Sequence, residues 1–235
     1  MTIRSIALLA ISVPVSLNAV NPGAPLAVYY SFDAPPSAAL VTEMQAEVGR
    51  ILAAAGVRVA WRAVGSPRNG EDFQAIVVFR FRGVCSFNQD SAAYERQEPT
   101  GQPLAETDVA DGRVLPFGAV DCDRLRRFIA PVLKSPGPED KNAGLGRAIA
   151  RVSAHEIYHM LTGSEGHARR GIARSSHSRA ELTAPRFGFA QKETDWLRAW
   201  GSKPAGQPAV AAVEVGTDSV KADSTESASV SSAGR

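Results

Sequence analysis

The chain has 235 residues, 44% of them hydrophobic, which is enough apolar sequence for one domain with a continuous core. Acidic and basic residues nearly balance, giving a formal net charge of +2, and no long basic run occurs. These features exclude the strongly basic surface with which proteins bind nucleic acid, so we expect no nucleic-acid partner.

The N-terminus has the layout of a secretory signal peptide. Arg4 precedes a short apolar run that contains Pro14 and ends in small and polar residues. We predict a signal over 1–19, cleaved after about Ala19; because Leu17 is unusual near such a site, an uncleaved anchor or a buried strand is the alternative. No other segment approaches the roughly 20 apolar residues of a membrane span, so we expect a secreted or periplasmic protein without one.

Export changes the interpretation of the two cysteines, because a disulfide persists in an oxidising compartment. We predict a disulfide between Cys85 and Cys122, which on the chain-entropy model stabilises the fold by about 3 to 4 kcal/mol. Two free thiols or zinc ligands are the alternatives, although neither cysteine lies in a Cys-x-x-Cys spacing.

The first half of the mature chain alternates strand and helix patterns. We predict strands at 25–32, 57–64 and 73–83, from β-branched runs and period-2 alternation. Between the first two, we predict a helix over 37–56 with Ser37 as its N-cap. The apolar residues of this helix recur at helical spacing and are Leu40, Met44, Val48, Ile51 and Ala55.

A long polar stretch at 84–103 predicts a surface loop, and such loops often form a wall of a functional cleft. Beyond it, Asp111 and Gly112 separate two short apolar runs, which is typical of a tight hairpin. Pro116 in the second run indicates a sheet edge or a departure from the sheet. A helix capped by Asp121 follows.

The C-terminal half is predicted to be helical and then disordered. "SPGPEDKN" breaks the chain before a helix at 143–163, and a C-terminal helix over 180–200 closes the core. From Ser202 onward the chain lacks aromatic residues and is rich in small and polar ones, which predicts a disordered tail over 202–235. The folded domain therefore spans 25–201.

The histidines of the chain are clustered, and two of them share the helix at 143–163. One face of that helix carries Leu145, Ala148, Val152, His155 and His159, so both imidazoles continue its inward side. Residues four apart lie one turn above each other, so His155 and His159 can bind one cation. Glu156 follows beside the metal, where it can accept a proton from a water whose pKa a zinc ion has lowered to about 7.

A catalytic zinc usually has three protein ligands, so a third must follow the helix. Gly163 ends the helix and lets the chain turn back, and His167 is our choice because imidazole is the commonest ligand for such ions. Glu165 and Glu181 are the alternatives, and His177 is a weaker one.

The stretch "HEIYHMLTGSEGH" resembles the extended zinc motif of the metzincin metalloproteases, His-Glu-x-x-His-x-x-Gly-x-x-His, with the last histidine two residues late. Position by position, the resemblance implies His155, His159 and His167 as ligands and Glu156 as the base. By strict counting, Glu165 occupies the place of the family's third histidine.

The resemblance also implies an α+β fold: a twisted mixed β-sheet with packing helices, a metal-bearing helix at the cleft and a C-terminal helix. Metzincins have a methionine in a turn below the metal, and this chain has none at a suitable place after His167. We expect Ile172 or Ala173 to supply the apolar residue below the metal instead. By analogy, the segment from Asp108 to Val120 is the edge strand that pairs with peptides, or else an edge hairpin without a ligand.

Together these patterns predict a secreted zinc metallopeptidase that acts as a monomer on peptides or proteins, with Zn²⁺ as its only cofactor. A non-catalytic exported module that binds zinc or peptide is one alternative, although a binder does not need Glu156. A zinc amidase acting on a cell-wall component is another, and it shares every site residue.

Overall fold

The structure, a computed structural model, describes residues 23–66, 70–87, 102–134 and 137–203. The predicted signal at 1–19, most of the predicted loop at 84–103 and nearly all of the predicted tail at 202–235 lie outside these ranges. In the described residues, no helix is both long and apolar enough to cross a membrane.

The described strands form one five-stranded sheet. They are β1 (Leu26–Phe32), β2 (Val59–Ala63), β3 (Ala75–Arg82), β4 (Ala105–Ala110) and β5 (Arg113–Asp121), in the order β2-β1-β3-β5-β4. β1 runs parallel to β2 and β3, and β3 runs parallel to β5, whereas β4 is antiparallel to β5. The prediction of a mixed sheet is thereby confirmed.

A tight turn joins β4 to β5. Its central residues, Asp111 and Gly112, have positive φ angles of 51° and 69°, as the predicted hairpin requires. The strand register shifts between Thr107 and Val109, and Pro116 lies in the bulged stretch of β5 between their partners, Gly118 and Val114. A bulge suits proline because proline has no N–H to donate to a neighbouring strand.

The expectation that the segment from Asp108 to Val120 forms the sheet edge is wrong from Phe117 onward. β5 pairs with β3 from Phe117 onward, so this part of β5 lies inside the sheet. The hairpin turn folds β4 back along the outer side of β5, and β4 is therefore the edge strand.

The described residues form five α-helices: α1 (Ala38–Ala53), α2 (Cys122–Ile129), α3 (Pro138–Thr162), α4 (Arg179–Thr183) and α5 (Gln191–Gly201). The predicted caps are present. Ser37 accepts a hydrogen bond from the amide of Leu40 at 3.2 Å, and Asp121 accepts one from the amide of Arg124 at 2.8 Å. Each cap satisfies an amide that the helix itself leaves without a partner.

Two helices differ from their predicted extents. α3 begins at Pro138, inside the stretch predicted to be a break, because a proline in the first turn of a helix costs no hydrogen bond. The single C-terminal helix predicted over 180–200 is instead two helices, α4 and α5. Pro185 disfavours a helical conformation at Ala184, which is extended with a ψ of 154°.

The core lies between the sheet and the helix pair α1 and α3. Gly146 lets these helices approach closely, since a Cβ there would lie 2.4 Å from the carbonyl oxygen of Leu40. The predicted disulfide joins Cys85, just after β3, to Cys122 at the start of α2, and both residues are fully buried. It fixes the start of the long loop to the helical layer.

A buried arginine ties three segments together. Arg151 of α3 is 0% exposed, and its Nε donates to Glu47 of α1 at 2.8 Å. Its other two nitrogens each donate at 2.7 Å, to the carbonyl oxygens of Glu181 and Ala184. Glu47 also accepts hydrogen bonds from Arg50, so both charges are fully paired.

Replacing Arg151 by methionine should lower the free energy of unfolding by about 3 kcal/mol, because two carbonyl oxygens and part of a buried carboxylate lose their donors. The control is Arg147→Met. Arg147 pairs with Glu43 between the same two helices, but these side chains are 31% and 29% exposed, so a loss of about 1 kcal/mol or less is expected. Equal losses in urea denaturation would contradict the special role of Arg151.

Glu47 should also make stability depend on pH. Burial alone would raise the pKa of Glu47, but the hydrogen bonds from Arg50 and Arg151 outweigh burial and lower that pKa below its usual value of 4.5. The stabilisation is therefore complete above pH 4.5 and is lost as the pH falls through the folded-state pKa. The difference in unfolding free energy between wild type and Glu47→Gln should shrink over that range; a constant difference would refute the linkage.

Candidate metal centre

The two histidines of α3 lie side by side within the fold. His155 and His159 are 9% and 6% exposed, and their Nε2 atoms are 3.0 Å apart. They are one helical turn apart on the same face, which is why a four-residue spacing brings them together. The helix ends directly after them at Gly163, whose φ of 63° turns the chain back toward the imidazoles.

Backbone carbonyls fix the orientation of both rings. Nδ1 of His155 lies 2.7 Å from the carbonyl oxygen of Ile172, and Nδ1 of His159 lies 2.6 Å from that of Ser164. A carbonyl oxygen can only accept, so each Nδ1 carries the proton and each Nε2 presents a lone pair in the neutral ring. Two lone pairs thus face each other at 3.0 Å.

Such a pair of nitrogens needs a cation or a proton between them. Burial lowers the pKa of His155 to about 4, and the Ile172 carbonyl only partly opposes this effect. Burial likewise lowers the pKa of His159. The chemistry of the donor set therefore fits a metal ion, and the Nδ1 contacts to backbone oxygens are those typical of metal-binding histidines.

His167 completes a three-nitrogen cluster. One ligand nitrogen from each of His155, His159 and His167 lies within 4.8 Å of the other two. The His167 ring stacks on that of His155 with centroids 5.2 Å apart, and it is the exposed member of the group. His167 comes two residues later than the third histidine of the metzincin motif, and the turn after Gly163 accommodates these residues. In this turn, Ser164 Oγ accepts a hydrogen bond from the amide of Gly166 at 3.0 Å.

The two carboxylate alternatives have different surroundings. Glu165 is exposed and lines the same cavity as the histidines. Glu181 is occupied elsewhere: its carboxylate closes a capping box with Ser178 and pairs with Arg174 at 2.6 Å. The hydrogen bonds from Ser178 and Arg174 lower the pKa of Glu181 to about 2. Glu181 thus belongs to the α4 cap and not to the cluster.

The residues expected below the metal form a buried turn. Ile172 and Ala173 are both 0% exposed, and the amide of Ala168 donates to the carbonyl oxygen of Ala173 at 2.8 Å. Gly171 has a φ of 73° and forms a bridge with Phe189. Because the Ile172 carbonyl contacts His155, this turn sets the orientation of that ring.

A cavity of about 610 Å³ opens beside the cluster. Its floor is α3, one wall is β4 with the residues just before it, and the other wall is the returning loop. Residues that line it include Leu104, Thr107, Val109, Val114, Arg174 and His177. His177 is half-buried against His155, with ring centroids 5.7 Å apart, so all four histidines of the chain meet here.

Glu156 lies on α3 between the two histidines and lines the cavity. Its side chain is buried, and the Thr107 hydroxyl donates to its Oε2 at 2.6 Å. Burial raises the pKa of Glu156 to about 7, while the Thr107 hydrogen bond acts in the opposite direction. A dication bound at the imidazoles would act in the same direction as Thr107 and lower the pKa of Glu156, since a nearby positive charge favours the carboxylate.

Sequence reasoning missed Thr107 and the carbonyls of Ser164 and Ile172. Thr107 is 49 residues from Glu156, in a strand without a motif, so no local pattern could indicate the contact. The carbonyls are backbone groups, and any residue type would supply them.

No protein-family model matches this chain, and no curated protein matches it. Among solved structures, a crystal structure of archaemetzincin from Methanopyrus kandleri is similar, with 13% sequence identity and a TM-score of 0.43. The match covers 78% of this chain and 98% of that chain. A likeness of this size carries no argument about function, which has to follow from the site itself.

Elemental analysis of the purified protein should find one zinc ion per chain, lost in both His159→Ala and His167→Ala. Glu181→Gln should keep its zinc, because Glu181 is committed to the α4 cap. Zinc retained by His167→Ala but lost after the further change Glu165→Gln would make Glu165 the third ligand. A wild type that cannot be loaded with zinc would refute the metal centre.

Proposed function

We propose that this protein is a secreted zinc-dependent peptidase with Glu156 as its general base. The observation that carries the proposal is the pair of Nε2 lone pairs of His155 and His159, 3.0 Å apart, with both Nδ1 protons held by carbonyl oxygens. Histidine nitrogens favour zinc among the common ions. Three protein ligands beside an open cavity would leave a fourth coordination position for water or substrate.

When bound, a zinc ion would polarise the scissile carbonyl and lower the pKa of a water molecule. Glu156 takes a proton from that water and delivers it to the departing amine, which is the work of a general base and then a general acid. Its burial supports this role, because burial raises the pKa of the Glu156 carboxyl group and makes it a stronger base, whereas a bound dication would act in the opposite direction. His155, His159 and His167 would hold the zinc ion beside α3.

β4 is the proposed place where an extended substrate binds. It is the edge strand, and alternate side chains along it, Ala105, Thr107 and Val109, line the cavity beside Glu156. An edge strand offers backbone donors and acceptors to a peptide in the same extended conformation. Peptides and proteins are therefore the proposed substrates, and the buried disulfide is compatible with their cleavage outside the cytoplasm.

Glu156→Gln should bind zinc like the wild type and hydrolyse casein and fluorogenic peptides at least about 100-fold more slowly, because the amide cannot accept the proton. The matched control is Glu139→Gln, an exposed glutamate in the first turn of the same helix, which should keep full activity. If the wild type binds zinc but cleaves no peptide, the peptidase gives way to the binding module or to the amidase acting on a cell-wall component; if Glu156→Gln is fully active, another residue is the base.

A further inference from the structure

Thr107 lies outside the zinc motif, yet its side chain reaches the proposed base. Its hydroxyl lies 2.6 Å from Oε2 of Glu156 and 3.5 Å from the backbone oxygen of the same residue. A hydroxyl has one proton to donate, and the shorter contact is to the carboxylate. In the described part of the chain, no other side chain forms a hydrogen bond with this carboxylate.

The packing around this contact leaves little freedom. Thr107 pairs with Gly118 across the hairpin, and a Cβ at Gly118 would lie 2.7 Å from Cε of Met160. Met160 is one helical turn after Glu156, so α3 packs directly against the strands at this level. The bulge begins just after Thr107, so the regular pairing of β4 from Ala105 ends at the residue that contacts Glu156.

The hydrogen bond suits both protonation states of the base. A carboxylate accepts the Thr107 proton at Oε2, and after a proton has been added at Oε1 the carbonyl-type Oε2 can still accept it. The contact therefore need not break while Glu156 takes up and releases a proton. It restrains rotation about the terminal torsion of the Glu156 side chain, which is broad for a carboxyl group without such a contact.

We propose that Thr107 is a positioning residue, whose hydroxyl holds Oε2 of Glu156 so that Oε1 is directed at the reacting water. This inference rests on the proposed peptidase function. It assigns a role to the edge strand beyond substrate binding, because the same strand that receives the peptide orients the base.

The test compares Thr107→Val, which keeps the shape of the side chain without its hydroxyl, with Thr107→Ser, which keeps the hydroxyl. In the valine variant, kcat should fall about 10- to 100-fold, as when other outer contacts of a metal site are lost. KM and zinc content should stay within about 2-fold of wild type, and the serine variant should recover kcat to within about 3-fold. A merely structural role would instead affect both variants and the melting temperature.

Unchanged kcat in Thr107→Val, or an equal loss in Thr107→Ser, would overturn the inference. Crystal structures of the three proteins as isolated supply a readout independent of activity. Glu156 should hold one conformation in wild type and Thr107→Ser and be displaced or multiple in Thr107→Val. If the wild type is inactive but Glu156 is displaced only in Thr107→Val, the peptidase proposal fails and the positioning role of Thr107 stands. If Glu156 has the same conformation in all three structures, the positioning role is refuted.

Discussion

The buried guanidinium of Arg151 needs a hydrogen-bond partner for each of its nitrogens, and it finds them on two other segments, α1 and the chain at α4. A charge without such partners would cost the fold several kcal/mol, so α1, α3 and the chain around α4 are held in one arrangement. Arg151 lies one helical turn before His155. Arg151 and the two histidines of the candidate metal centre, His155 and His159, therefore lie on the same helix, α3.

That arrangement continues into the loop that completes the centre. The carbonyl of Ala184 is held by Arg151, and a few residues later the carbonyl of Gly188 accepts from the amide of Ile172 at 3.0 Å. The carbonyl of Ile172 in turn contacts His155. Hydrogen bonds and the short segment from Ala184 to Gly188 thus connect the core to the imidazole and orient the Nε2 atom of His155.

The opposite wall of the cavity is fixed by other means. The disulfide and the side chain of Asn142, which bonds both backbone groups of Phe87, anchor the chain after β3 to the helical layer. Farther along, Arg124 donates to the carbonyl oxygen of Pro103 just before β4. Both described ends of the long loop are therefore anchored near α2 and α3, and these anchors position β4 and Thr107 beside Glu156.

The sequence by itself determined the features that arise between near neighbours. The spacing of His155 and His159 places them on one helical face, the Asp111–Gly112 pair produces the hairpin, and Ser37 and Asp121 cap their helices. These follow from backbone hydrogen bonds and turn geometry that span a few residues. The start of α3 differs from its prediction for a local reason as well, because proline breaks a helix from an interior position but is tolerated in its first turn.

Only the tertiary structure decided which distant groups meet. It brought His167 to the two helical histidines, made β4 the edge of the sheet and set Thr107 against Glu156. Such contacts depend on how closely the layers pack, as at Gly118, and on backbone carbonyls that every residue type possesses. A residue pattern predicts neither. Packing distance is a property of the whole core and not of any one segment, and a backbone carbonyl does not depend on the residue type.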